Sequence, residues 1–239
     1  MDTLTVMTQK TAAATTTADE PPTSRGAQTK RAILAAAMRL FRETGYEQTT
    51  MRAIAREAGV SVGNAYYYYA SKEQLIQAFY DDVQAEHRRA AAPALASTTD
   101  FATRLAATLH AGIDVLSPSH EFAATFFKTA AEPSSPMSPF SADSSPSRQA
   151  SIALFGEVLA GSSLKVDKDL RTDVPELLWL TYLGVILYWV HDSSARQQKS
   201  RLLIDRAVPM IEQLLSLSRL RVLRPATKDV LELLATLRD

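Results

Sequence analysis

Apolar positions recur every three to four residues along most of the chain, the spacing of one helix face. From Thr29 onward Ile33, Leu34, Ala37, Leu40 and Phe41 form such a face. Gly45, after Thr44, suits the left-handed residue that ends a helix. Met51, Ile54, Ala55 and Ala58 predict a second, short helix capped by Thr49 or Thr50. Ala58-Gly59-Val60-Ser61 then supplies a glycine for a sharp turn, an apolar plug, and a serine to cap a third helix over about 62–68. Ser71 with Gln74 reads as a capping box. It opens a helix carrying Leu75, Ile76, Phe79 and Tyr80, expected to reach about Ala91, before Pro93.

Further helices are expected over about 99–115, 119–131, 148–160, 173–191, 195–218 and 228–238. Residues 133–147 hold four prolines and seven serines, which favours a loop. No stretch alternates with period two for long. The pattern is therefore all-α, with an N-terminal three-helix domain (25–80) and a larger helical domain (81–239). Residues 1–24, rich in Thr and Ala and closed by Pro21-Pro22, read as a disordered tail.

Two helices of the larger domain carry the strongest signal. Asp173 and Glu176 fit a capping box, and Leu177 to Val190 is apolar almost all round. Such a helix is expected to be buried on every side, and a second subunit is an efficient way to cover it. It spans about 20 Å, too short to cross a bilayer comfortably, and Thr181, Gly184 and the tyrosines interrupt it. The 195–218 helix carries Leu203, Ala207, Met210, Leu214 and Leu217 on one stripe, with Pro209 as a kink.

Composition narrows the chemistry. Hydrophobic residues are 46% and charged residues 22% of 239, ordinary for a globular protein. Cysteine is absent, which removes disulfides, thiolate metal sites and cysteine nucleophiles. No export signal is visible at the start, so a cytoplasmic setting is expected. His87, His110, His120 and His191 are scattered without metal spacing; His87 and His191 sit near predicted helix ends and read as exposed or capping. No phosphate loop, dinucleotide fingerprint or Gly-x-Ser-x-Gly occurs. No enzyme, metal or cofactor is expected.

The informative unit is Thr49 to Leu75. Two helices joined by so short a turn cross steeply and expose the start of the second, which can enter a major groove. Charge points the same way: residues 25–80 carry a net +4, whereas 81–239 and 1–24 each carry −2. Tyr66-Tyr67-Tyr68-Tyr69 holds half of the eight tyrosines. Consecutive helical residues point about 100° apart, so four rings cannot all be buried. Ala65 and Tyr69 share the inner face, leaving Tyr66, Tyr67 and Tyr68 at least partly exposed for phosphate, sugar or base edges. Two classes stay open from these residues: a duplex-DNA binder, or a helical small-molecule or protein-binding module whose head docks protein. Salt-dependent binding to duplex DNA separates them.

The run from Thr49 to Leu75, with Ala35 to Tyr46 before it, resembles the DNA-binding signature of the TetR (tetracycline-repressor) family of bacterial regulators. The resemblance covers about residues 28–80. It implies that Thr50 and Arg52 meet phosphate or a base edge, and that Val62, Gly63 and Asn64 lie at the groove floor. It implies that Tyr66 and Tyr68, with Tyr67 beside them, hold the DNA backbone, and that Lys72 contacts phosphate. Ala65 stands where a larger aliphatic is common and Tyr69 where Phe is common. The resemblance further implies a homodimer through about 173–191 and 195–218, reading an inverted repeat. It also implies a small-molecule effector in the larger domain that moves the helix beginning at Ser71. Phe122, Phe126, Phe127, Trp179 and Tyr182 are the candidate pocket residues, and 133–147 a candidate gate.

Overall fold

The computed structural model describes residues 23–218 apart from 133, 134 and 137, together with Leu220, Asp229, Glu232 and Thr236. The expected tail up to residue 22, all but Asp229, Glu232 and Thr236 of the expected helix at 228–238, and the side chains of Phe122 and Phe126 lie outside the described residues. The described helices are α1 (Thr23–Thr44), α2 (Met51–Glu57), α3 (Val62–Tyr68), α4 (Lys72–Ser97), α5 (Phe101–Leu116), α6 (His120–Ala130), α7 (Ser145–Ala160), α8 (Val174–Val190) and α9 (Gln198–Leu217). Short 3-10 turns occupy Ser117–Ser119 and Ala195–Gln197. No strand occurs among the described residues, in keeping with the all-α expectation.

Two apolar cores result. The head core joins Ile33, Ala37 and Phe41 of α1 to Ile54 of α2, Ala65 of α3, Tyr69, and Leu75 and Ile76 of α4, with Ala130 of α6 against it. The body core joins Phe101, Leu105, Leu109 and Ile113 of α5 to Phe155 and Val158 of α7, Trp179, Tyr182 and Trp189 of α8, and Ile204 and Val208 of α9. Helix α4 belongs to both: Leu75 and Ile76 are buried at one end, His87 and Ala91 toward the other.

Several expectations change. Helix α1 begins at Thr23, six residues before Thr29 and inside the expected tail. Helix α4 runs through Pro93 to Ser97 rather than ending near Ala91. Pro93 and Arg89 both lie on the exposed side, where water can serve the carbonyl that loses its N–H partner. Helix α7 starts at Ser145, within the expected loop, because Pro146 falls in the first turn, where its missing N–H costs nothing. The Asp173–Glu176 box does not form: Asp173 is the N-cap residue of α8 but makes no side-chain cap bond.

His87 corrects a further expectation. It is fully buried rather than exposed or capping, because α4 continues past it and α5, α7 and α8 close over it. Its Nε2 lies 2.8 Å from the Thr108 carbonyl, and its ring packs against Tyr182 and Phe155. Nδ1 has no partner, so Nε2 must carry the proton and donate. Burial pulls this imidazole below its usual pKa, against the bond to Thr108, which raises it.

On α9 the buried row is Ser200, Ile204, Val208 and Leu215. In the stripe expected from periodicity, Met210 and Leu214 are instead 63% and 66% exposed. On α8, which was expected to be covered all round, Leu187 and Tyr188 are exposed.

Candidate nucleic-acid interface and effector cavity

The turn between α2 and α3 is a Schellman motif. Gly59, at φ +68°, follows the C-cap Ala58; its N–H donates to the Arg56 carbonyl, and the Val60 N–H donates to the Ala55 carbonyl. A side chain at Gly59 would strain that backbone. Val60 plugs the turn against the head core. The helix starts are equally specified. Thr50 Oγ accepts from the Ala53 N–H at 3.2 Å, and Ser61 Oγ accepts from the Asn64 N–H at 3.1 Å. Gly45, at φ +85°, ends α1 as expected. The Ser71 box closes one residue early: Ser71 Oγ accepts from the Gln74 N–H, but Gln74 Oε1 accepts from the Ala70 N–H at 2.9 Å.

Helix α3 is seated by one face. Ala65 is fully buried and Tyr69, just past its end, nearly so, as the sequence required. Burial, with Asp82 adding, pushes the Tyr69 phenol up to about 12, so it remains a donor toward the Lys30 carbonyl. The remaining surface of α3 is open: Val62, Gly63, Asn64, Tyr66 and Tyr67 are all exposed, Tyr67 at 81%. Thr50 and Arg52 are exposed beside them on α2. These seven form one continuous outward set.

The other two expected contact residues are partly committed elsewhere. Tyr68 is half-buried against the head core, its ring edge-on to Tyr67 at 5.1 Å. The Lys72 ammonium donates to the Tyr46 carbonyl at 2.7 Å and sits 4.2 Å from the centre of the Tyr46 ring. Tyr46 Oη in turn donates to Glu73 Oε1 at 2.8 Å. Desolvation, with Glu73 next, raises the Tyr46 phenol well above its usual pKa. The Ser71 hydroxyl leads the bonds that hold Glu73 below the usual carboxylate range. Lys72 thus ties the start of α4 to the α1–α2 corner. The Lys72–Tyr46 link carried no sequence signal, since the two residues lie 26 positions apart.

In the body, α4, α6, α7, α8 and the 138–148 segment enclose a cavity of about 700 Å³. Three of the five expected pocket residues, Phe127, Trp179 and Tyr182, line it. So do Phe79 and Tyr80 of α4 and Trp189 of α8, which sequence reasoning placed only on helix faces. Ser138, Pro139, Phe140 and Ser144, of the segment expected as a gate, form part of its wall. Among the described residues, no group of three His, Cys, Asp or Glu could hold a metal, and no helix is long and apolar enough to cross a membrane.

With this geometry in hand, comparison with known proteins is decisive. The family model "Tetracyclin repressor-like, C-terminal domain" matches residues 104–233, and "Bacterial regulatory proteins, tetR family" matches residues 33–79. The chain belongs to the TetR family. The first of these matches covers more than half of the chain and the second the helix-turn-helix unit. The A-factor receptor protein of Streptomyces griseus is 41% identical over 59 residues, 25% of this chain and 21% of that protein. The HTH-type transcriptional regulator BetI of Agrobacterium fabrum is 36% identical over 81 residues, 34% of this chain and 39% of that protein. The chain therefore matches well under half the length of either relative. The crystal structure of the transcriptional regulator FadR from Bacillus subtilis in complex with stearoyl-CoA superposes with a TM-score of 0.60 at 16% identity, covering 74% of this chain and 96% of that one. At that identity the likeness concerns the fold alone.

Proposed function

We propose that this TetR-family chain is a ligand-responsive DNA-binding repressor of the cytoplasm that reads an inverted repeat as a homodimer and is released by a small-molecule effector. One observation carries the DNA reading. Helix α3 is seated through Ala65 and Tyr69, with Tyr68 half-buried beside them, so Val62, Gly63, Asn64, Tyr66 and Tyr67 stay open on a head of net charge +4. Thr50 and Arg52 flank that surface and suit phosphate contacts. Lys72 can reach phosphate only while held by Tyr46, so it contributes a fixed charge rather than a free arm.

Dimerisation follows from the outward apolar rows. Leu187 and Tyr188 of α8 and Leu202, Met210 and Leu214 of α9 are exposed in one chain, although α8 is among the most apolar segments of the sequence. A symmetric partner would cover these rows with its own copies. The cavity supports effector binding: its volume and apolar walls suit a small molecule, and FadR of Bacillus subtilis shares the fold and was crystallised with one.

The test is selection of bound duplexes from a random pool, followed by titration at several salt concentrations. An inverted repeat whose affinity falls steeply with salt is expected. Absence of duplex binding at low salt, with the protein folded, would leave a protein-docking module as the reading.

A further inference from the structure

We infer that the effector is an uncharged, largely apolar molecule carrying an oxygen acceptor, and that Ser151 and Trp189 recognise that oxygen. The inference rests on the effector-cavity reading above and deepens it.

Ser151 of α7 and Trp189 of α8 line the cavity, and each is 1% exposed. Neither the Ser151 hydroxyl nor the Trp189 indole N–H has a hydrogen-bond partner. Buried polar groups are almost always paired, so two orphans among the residues lining one cavity call for a reason. Ser151 is the sharper case. A helical serine or threonine usually donates back to the carbonyl four residues earlier. Thr29, Thr44, Thr108, Ser117 and Thr181 of this chain all do so. Ser151, in the middle of α7, does not. Its neighbours on the same wall are also committed: the Ser147 hydroxyl donates to Asp81, and the Ser144 hydroxyl accepts from Gln77 and Ser141.

The donor set defines the ligand. An indole N–H can only donate, so its partner must be an acceptor, and the hydroxyl can donate to the same or an adjacent oxygen. A carbonyl or ether oxygen fits both. A carboxylate or polyphosphate would need cations. Arg148 is the one charged side chain among the described lining residues; its Nη1 donates to the Pro139 and Ser141 carbonyls at 2.8 and 3.2 Å, so a single tethered cation is all that these residues offer an anion. Burying an anion against apolar walls without a pair is costly.

The chain itself supplies the reporter, because its two tryptophans, Trp179 and Trp189, both line the cavity. Indole fluorescence is titrated with two near-isosteres, butyrophenone and butylbenzene, and with the anion 4-butylbenzoate. Butyrophenone is expected to bind most tightly. Ser151→Ala and Trp189→Phe should each weaken it roughly 2- to 10-fold, the worth of one hydrogen bond, and leave butylbenzene within about 2-fold. Trp179 remains the reporter in Trp189→Phe, and thermal melts confirm that both variants fold. Equal binding of ketone and hydrocarbon, equal losses for both in the variants, or tightest binding of the benzoate overturns the inference but leaves the effector cavity standing. Failure of all three probes to bind overturns both.

Discussion

Arg104 is a guanidinium buried to 4% exposure that meets carbonyl oxygens instead of a carboxylate. Its Nε donates to Val158 at 3.0 Å, Nη2 to Glu157 at 2.6 Å, and Nη1 to Leu95 and to Thr98 at 2.8 Å. Leu95 lies in the last turn of α4, Thr98 caps that helix, and Glu157 and Val158 lie in the last turn of α7. The Glu157 carbonyl also accepts the Gly161 N–H at the end of α7, and all four carbonyls lie at the negative ends of two helix dipoles. One side chain on α5 therefore satisfies both ends and pins the body end of α4, the helix whose other end builds the head core.

Arg104→Met keeps the aliphatic stem and removes all four bonds. A bond from a charged donor is worth about 1.5–3 kcal/mol, so a sum would reach roughly 6–12 kcal/mol. Some of the freed carbonyls will take water, and removing the charge recovers its desolvation cost. Breaking a buried ionic site typically costs about 3–5 kcal/mol, and that is the expected loss. It is a large share of the roughly 5–15 kcal/mol that holds a typical protein together. Urea unfolding followed by circular dichroism should show it as a lower midpoint at unchanged slope. Arg104→Lys should lose most of the same amount, since a point charge cannot fork to two helix ends. Gly161 supplies an independent check, because a Cβ there would strike the Arg104 guanidinium. Gly161→Ala should cost about 1–3 kcal/mol alone and clearly less in the Arg104→Met background. A loss below about 1 kcal/mol for Arg104→Met, or equal costs of Gly161→Ala in both backgrounds, would refute the reasoning.

Tyr67→Ala should weaken binding to the selected duplex about tenfold or more and leave the melting temperature unchanged, because Tyr67 is exposed and a bond to phosphate is charge-assisted; fluorescence anisotropy beside a thermal melt checks both halves. Lys72→Met should lower stability by roughly 1–2 kcal/mol as well as DNA affinity, since the ammonium also holds Tyr46; an affinity loss with no change in urea midpoint would mean that hold is absent. Leu214→Asp should convert the dimer to a folded monomer in sedimentation, and a dimer that persists in it would move the interface elsewhere. For His87 the folded pKa lies below the unfolded value near 6.5, so the unfolded chain binds the extra proton between the two. Its contribution is complete above that upper value and is lost as pH falls below it; His87→Gln should flatten the stability slope between pH 5 and 6.5, and parallel slopes for the two proteins would contradict this.

The head was legible because its signals are local. Thr50, Ser61, Ser71, Gly45 and Gly59 each act on a backbone group within a few residues, and all five hold their expected places. Ala65 and Tyr69 were fixed by the impossibility of burying four adjacent rings. The body yields to no such reading. On α9 the rows Leu203–Ala207–Met210–Leu214 and Ile204–Val208–Leu215 lie side by side with similar apolar content, and only α5 and α8 decide which turns inward. His87 looked terminal because Pro93 looked like a stop. The solvent-facing placement of that proline, a tertiary fact, reverses both readings. Arg104 gives no local signal at all, since its partners come from two helix ends and lie up to 54 residues away.

The same geometry makes the link between cavity and head short. Leu75 and Ile76 of α4 are packed in the head core with Ala65 and Tyr69, while Phe79 and Tyr80 line the cavity. Four residues separate the two pairs, about 6 Å along the helix. On the proposed reading, an effector pressing on Phe79 and Tyr80 would act on the turn next to the one that seats α3, and no long chain of contacts would be needed to carry a displacement. At the far end Arg104 holds α4 to α7, so a movement of α4 on the proposed reading would pivot there and carry the head with it. On the proposed reading, an effector has to favour one α4 position over the other only by the few kcal/mol that separate bound from released DNA. Cutting the Arg104 anchor should then weaken the effector's influence on DNA affinity more than it weakens either binding event alone. That difference would distinguish a lever with a fixed pivot from a body that merely loosens.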